Sequence, residues 1–319
     1  LCPDCAARSH AKRDARTDLT GRRALLTGGR AKIGMYIALR LLRDGAHLTI
    51  TTRFPRDAVR RFTAQPDSAD WLDRLKVVGI DLRDPAQVIG LADEVAAAGP
   101  LDILINNAAQ TVKRQPGAYS AIADAETQEL PEGFIPELVT FGHTSDAHPA
   151  SLVGSVSAHP ALAKDSITAD ELTEIALEAG SADLERIDAG GLLPDLVDTN
   201  SWVQHVQQID ALELLEVQLC NSVAPFILIS RLRPAMAASA ANRSYVVNVS
   251  AMEGQFSRGY KGPGHPHTNM AKAALNMLTR TSATEMFEAD QILMTAVDTG
   301  WITDERPHVD DQCIELLQF

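Results

Sequence analysis

The chain is 319 residues long, 45% hydrophobic, and carries a formal net charge of −13. Such a length and apolar share bury one large core or two small ones. Four cysteines exclude a disulfide-scaffolded fold and favour a reducing, cytoplasmic setting. No apolar run approaches the roughly 20 residues of a membrane-spanning helix. No secretory leader is visible, and with Leu1 as first residue a missing natural N-terminus is one expectation. The charge is uneven: residues 121–200 hold 16 Asp and Glu against only Lys164 and Arg186, leaving 26 acids and 27 bases elsewhere. That distribution carries no basic footprint, so neither nucleic acid nor membrane is expected as a partner.

Residues 1–18 read as an N-terminal arm around Cys2-Pro-Asp-Cys5. Cys2 and Cys5 are half of a zinc knuckle, and a tetrahedral site needs two more ligands. These come from upstream, or His10 helps, or both cysteines are ordinary thiols on a disordered arm. Residues 19–319 then form one domain. Ala24-Leu25-Leu26 predicts a buried strand, Gly28-Gly29 a turn, and Ile33–Leu42 a helix from its apolar spacing. Strand, glycine turn and helix begin a dinucleotide-binding sheet, where the turn admits the pyrophosphate and the helix N-terminus faces its charge. His47–Arg53 reads as a second strand with a basic end. An acid there suits the ribose 2′-hydroxyl of NAD, whereas Arg suits the 2′-phosphate of NADP. Arg53, with Arg56 and Lys32 near it in sequence, therefore argues for NADP(H), against the plainer alternative of a solvated Arg. Lys76–Leu82 is a third strand ending in Asp81, an acid placed to meet adenine. After the Pro85–Ala98 helix, the apolar strand Leu101–Ile105 runs into Asn106 and Asn107.

Thr27-Gly28-Gly29-Arg30-Ala31-Lys32-Ile33-Gly34, then Asp81-Leu82, then Asn106-Asn107-Ala108-Ala109 resemble, in order, the signatures of the short-chain dehydrogenases/reductases. Leu219–Phe226 is similar to the helix carrying that family's Asn, here Asn221. Tyr245–Ser250 resembles its fifth strand, Met270–Leu275 the helix bearing its active-site Lys, here Lys272, and Val297–Thr303, with Thr299 and Gly300, the loop closing on the nicotinamide. The resemblance spans about residues 19–303. It implies an α/β fold, a doubly wound parallel Rossmann-type sheet, with a long insertion after the fourth strand. It also implies NADP(H) bound by Thr27, Gly28, Arg30, Lys32, Ile33, Gly34, Arg53, Asp81, Leu82, Asn107, Ala108, Lys272, Thr299 and Gly300.

The departures from the family pattern lie at the chemistry. Lys32 replaces the usual middle glycine, as in pteridine reductases of the same family, and Ala109 replaces a glycine. The family's Tyr acts as general acid four residues before the Lys, and a Ser hydrogen-bonds the substrate oxygen. Here the Tyr position is Thr268, far too weak an acid unaided. The Ser position is Ser250 or Ala251. The 254–268 loop offers His267 or Tyr260 as a substitute acid, while His265-Pro266-His267 reads otherwise as a polar helix cap and Thr268 as a capping residue.

The insertion, about residues 113–200, contains a helix expected at Ser166–Ala176. Glu126–Gly142 and Ser181–Thr199 are acidic and turn-rich, which predicts mobile or lid-like structure over or beside the ligand crevice. Trp202 and Trp301 form an aromatic wall for a flat substrate, or pack in the core. Only Trp301–Phe319 follows Gly300, which suggests truncation or a stub and leaves a homo-oligomer possible. The resulting expectation is an oxidoreductase moving hydride between NADP(H) and a carbonyl, alcohol or C=N small-molecule substrate. Asn221 would anchor a proton-relay water, Ser250 contact the substrate oxygen, Lys272 hold the ribose, and His267, Thr268 or a neighbour supply the proton. The rivals are a catalytically silent nucleotide-binding protein and a partner-docking scaffold.

Overall fold

The structure is a computed structural model that describes residues 2–114, 116–142, 144–151, 188, 190–192, 199–257, 259 and 261–300. Seven strands form one parallel sheet: β1 (Arg23–Leu26), β2 (His47–Thr52), β3 (Leu75–Gly79), β4 (Ile103–Asn106), β5 (Glu137–Thr140), β6 (Ser244–Ser250) and β7 (Ile292–Asp298). Their order is β5-β3-β2-β1-β4-β6-β7, so the chain reverses direction across the sheet at β1 and β4. Helices α2 (Lys32–Arg43), α3 (Pro55–Thr63) and α4 (Pro85–Ala97) follow the first three strands. This is the doubly wound α/β architecture expected from the sequence, and the strand-to-helix alternation is its cause.

Two cores sandwich the sheet. One gathers Leu26, Leu39, Leu42, Ile50, Phe62 and Trp71 between the sheet and α2–α3, with Phe62 and Trp71 edge-on at 6.1 Å. The other packs α4 against the long helix that precedes β6. That helix runs as α6 (Ala211–Gln218), a π turn at Leu219–Val223, and α7 (Ala224–Ala237). This 27-residue helix is long and apolar enough, by length and composition alone, to cross a membrane. Half of its apolar window is nevertheless buried in this core, through Ala224, Leu228, Leu232 and Met236. α8 (Pro266–Asp290) closes the same face.

Two expectations are corrected. Residues 126–142 are not simply a mobile, turn-rich stretch: β5 extends the sheet beyond β3, in register Lys76↔Glu137 to Gly79↔Thr140. Lys76 bridges Glu94 and Glu137 at 2.6 and 2.8 Å, and Phe141 fills the space that a side chain at Gly90 would occupy. The N-terminal arm is not disordered but carries helix α1 (Pro3–Ala11), which buries none of its residues. The Cys2 sulfur accepts the Cys5 N–H as the helix cap, and no group of three metal-capable side chains gathers among the described residues. The helix expected at 166–176 lies outside the described residues.

Candidate functional site

The carboxyl ends of β1 and β4 meet at the point where strand order reverses, and their loops are locked together there. The Thr27 hydroxyl accepts the N–H groups of Asn107 and Ala108, each at 3.0 Å. In return the Asn107 amide donates to the carbonyls of Thr27 and Gly28 at 3.1 and 3.0 Å. The turn between them is packed backbone to backbone. A Cβ on Gly34 would fall 1.9 Å from the Gly28 carbonyl oxygen, and Gly28, at φ +70°, abuts the Ala108 backbone. α2 then starts at Lys32 with no side-chain cap and no acid in its first turn. Its first amide donors therefore lack the side-chain acceptor that most helix starts provide, the arrangement that suits an anion. Lys32 stands at φ +51°, a left-handed position that a glycine would take without strain.

At the end of β2 the basic residues expected from the sequence collect. Arg53 lies over the rings of Phe54 and Tyr119. Arg30 contacts Asp57 and donates to the Gly190 carbonyl at 2.7 Å. Lys32 Nζ stands 2.9 Å from an Asp188 carboxylate oxygen. Burial would push the Asp188 carboxyl up, but the Lys32 ammonium and the Leu192 N–H outweigh it and hold it below the usual range. A turn of the insertion thus sits on the glycine turn. A second insertion segment reaches the end of β3. Asp81, expected to meet adenine, is bound by the Arg83 guanidinium and lies 3.5 Å from His148 Nε2. Despite desolvation, those two groups keep its carboxyl well below the carboxylate range. Next to it, Asp84 caps α4 and accepts from the Ser145 hydroxyl at 2.8 Å.

Across the crevice, Lys272 on α8 extends its ammonium to the Val249 carbonyl at the end of β6, 2.8 Å away. Burial pushes its pKa down to about 8. Asn221, in the π turn, exchanges two hydrogen bonds with the Gln110 backbone, accepting at 2.7 Å and donating at 2.8 Å. That exchange ties the loop after β4 to the α6–α7 helix. The Ser250 hydroxyl donates to Asn276 Oδ1 at 2.6 Å, one helical turn beyond Lys272. Thr268 donates to the His265 carbonyl at 2.9 Å inside the first turn of α8. His265 is the N-cap residue, at φ +40°, and its ring stacks on Trp202 with centroids 4.0 Å apart. His267 points instead to α6, with both ring nitrogens buried and without hydrogen-bond partners, and Nε2 stands 3.6 Å from Glu213 Oε1. Desolvation raises the Glu213 carboxyl, and His267 together with the Ser201 hydroxyl more than reverses this.

The sequence-derived residues therefore fall into two clusters. Thr27, Gly28, Gly34, Asn107 and Ala108 form the turn, flanked by Arg30, Lys32, Ile33 and Arg53. Asn221, Ser250, Thr268 and Lys272 surround the β6 end. Gly300, at φ +79°, and Thr299 follow β7, with the Gly300 N–H on the Asp298 carboxylate. Tyr260 and Trp301 lie outside the described residues. Tyr119, Asp188, His148, Glu213 and Asn276 were missed, and four of them come from the insertion or the helix behind it, where no local pattern marks them.

Residues 22–131 match the short chain dehydrogenase family. An uncharacterized protein of Acanthamoeba polyphaga mimivirus is 29% identical over 297 residues, 88% of this chain and 55% of its own length. A probable oxidoreductase of Streptomyces antibioticus is 41% identical over 91 residues, 28% of this chain and 30% of that protein. The chain thus spans about half the length of the first relative and under a third of the second. A short chain dehydrogenase of Burkholderia cenocepacia, solved in complex with NADP, superposes with a TM-score of 0.55 at 18% identity, covering 93% of this chain and 82% of that one.

Proposed function

We propose that the chain, whose residues 22–131 match the short chain dehydrogenase family, is an oxidoreductase that uses NADP(H) and transfers hydride to or from a carbonyl, alcohol or C=N substrate. The observation that carries the reading is the glycine turn. Gly28 and Gly34 leave no room for a Cβ, α2 presents an uncapped N-terminus, and Arg53 and Arg30 stand at the end of β2. That donor set fits a pyrophosphate on the turn and a 2′-phosphate beside the guanidinium groups. The NADP bound to the Burkholderia relative supports the same choice. When bound, the nicotinamide supplies or accepts the hydride.

This chain's own residues would do the rest. Lys272, held by the Val249 carbonyl, places a positive charge beside the ribose and the reacting oxygen. Asn221 keeps the loop after β4 in place through Gln110. His267 is the protonatable side chain adjacent in sequence to Thr268, and its Nε2 stands 3.6 Å from a Glu213 carboxylate oxygen. The rival reading, a silent nucleotide-binding protein, draws on Thr268, whose hydroxyl is engaged by the His265 carbonyl.

A fluorescence titration with NADPH and NADH in parallel tests the proposal. Selective NADPH binding that Arg53→Asp abolishes, followed by carbonyl reduction lost in Lys272→Ala, is the expected result. Binding without turnover of any carbonyl or imine leaves the silent reading. Absence of nucleotide binding removes both.

A further inference from the structure

Arg53 is held by rings rather than by a carboxylate. Phe54 and Tyr119 stack with centroids 6.0 Å apart at 24°. The Arg53 guanidinium carbon lies 5.6 Å from the first ring centre and 5.4 Å from the second, and Arg30 approaches the Phe54 ring at 5.3 Å. Among the described residues no carboxylate pairs with Arg53, whereas Arg30 and Arg61 share Asp57. An aromatic face attracts a guanidinium without neutralising it, so the cation stays available to an anion.

Tyr119 belongs to the insertion, and its place is set by how the insertion docks. α5 (Ser120–Thr127) follows it directly. The Glu126 carboxylate accepts the Arg56 and Asp57 N–H groups at 3.0 and 2.7 Å, at the start of α3. Arg56 and Arg60 donate to the Gln128 carbonyl at 2.6 and 2.8 Å. Ile122 is buried beneath. A carboxylate on free helix amides is a favourable anchor, and it brings the Tyr119 ring to the corner where β2 turns into α3.

We propose that Tyr119 is a specificity-determining positioning residue that holds Arg53 against Phe54, ready for a phosphate on the ribose 2′ position, and so sets the preference for NADPH over NADH. The proposal rests on the cofactor reading above. A side chain ordered before the ligand arrives loses less freedom on binding, and only the nucleotide bearing the 2′-phosphate gains from it.

The test is the same fluorescence titration on the full chain, with NADPH and NADH against the native protein, Tyr119→Leu and Tyr119→Phe. Tyr119→Leu keeps apolar bulk at the position and removes the ring. It is expected to weaken NADPH about five-fold, or about 1 kcal/mol, and to leave NADH within about two-fold. Tyr119→Phe keeps the ring face and is expected to retain the native NADPH-to-NADH ratio. Equal weakening of both nucleotides in Tyr119→Leu marks a merely structural residue and overturns the proposal, as does an unchanged ratio, while the cofactor reading stands. Should the native chain bind neither nucleotide, that reading falls and this one with it.

Discussion

Asp188 lies 2.9 Å from the ammonium of Lys32, on the turn where a pyrophosphate would bind. Together with the Gly190 carbonyl on Arg30, it puts acceptors of the insertion on two of the cations that an incoming anion would use. Both partners are about one-third exposed, so solvent screening keeps the pair weak. Asp188→Asn is expected to tighten NADPH binding about two- to five-fold and to steepen its loss with salt, because the Asp188 carboxylate no longer screens the Lys32 charge. Titrations at two ionic strengths check this, and unchanged affinity in Asp188→Asn would show that the nucleotide and the carboxylate do not compete.

Lys272 makes the reaction and the stability respond oppositely to pH. Its pKa is pushed from 10.5 to about 8 by burial. The ammonium that holds the Val249 carbonyl is therefore lost as pH rises through about 8, and kcat/KM is expected to decline there. For stability, the unfolded chain binds the proton up to 10.5 while the folded one releases it near 8. Unfolding free energy therefore rises with pH between those values, and the cost of the buried charge, about 3 kcal/mol, applies in full below pH 8. Lys272→Met is expected to be inactive yet to melt higher than the native chain at pH 7, with the gap narrowing by pH 10. A constant gap between the two melting curves would count against a buried ammonium.

Gly34 faces a backbone atom rather than a side chain. An added methyl at 1.9 Å from the Gly28 oxygen has no rotamer to escape into, and Asn107 Nδ2 stands 2.9 Å away on the other side. Gly34→Ala is expected to lower stability by about 3 kcal/mol, at the upper end for overpacking, and to abolish nucleotide binding. Urea unfolding with a native-like midpoint in Gly34→Ala would contradict the tight turn.

His267 and Glu213 separate a chemical role from a packing one. General acids contribute about 10²- to 10⁴-fold. His267→Gln is expected to lower kcat at least about a hundred-fold while the NADPH affinity stays within about two-fold. A parallel loss of melting temperature and affinity, with kcat intact, would make the ring a core residue of the α6–α8 contact.

The strand, glycine turn and helix at residues 23–43 were legible because each signal is local: an apolar run, two glycines, and a 3.6-residue repeat. The same holds for Asn107 after β4 and for Lys272, whose neighbours in sequence carry the pattern. β5 was not legible. It is four residues long, with exposed Glu137 and Thr140 at its ends, and it becomes a strand only because the edge of β3 offers unpaired backbone groups.

The order of side chains along the chain determined the fold class and the basic end of β2. Tertiary structure alone decided what those groups meet. Lys32 and Asp188 are 156 positions apart, Arg53 and Tyr119 are 66, and Asp81 and His148 are 67. No periodicity reports such pairs, since they arise from where an insertion docks once its backbone donors and apolar side chains find partners. The identity of each cation near the turn was written in the sequence, and its orientation and electrostatic partner were set by the packing of the insertion around the sheet.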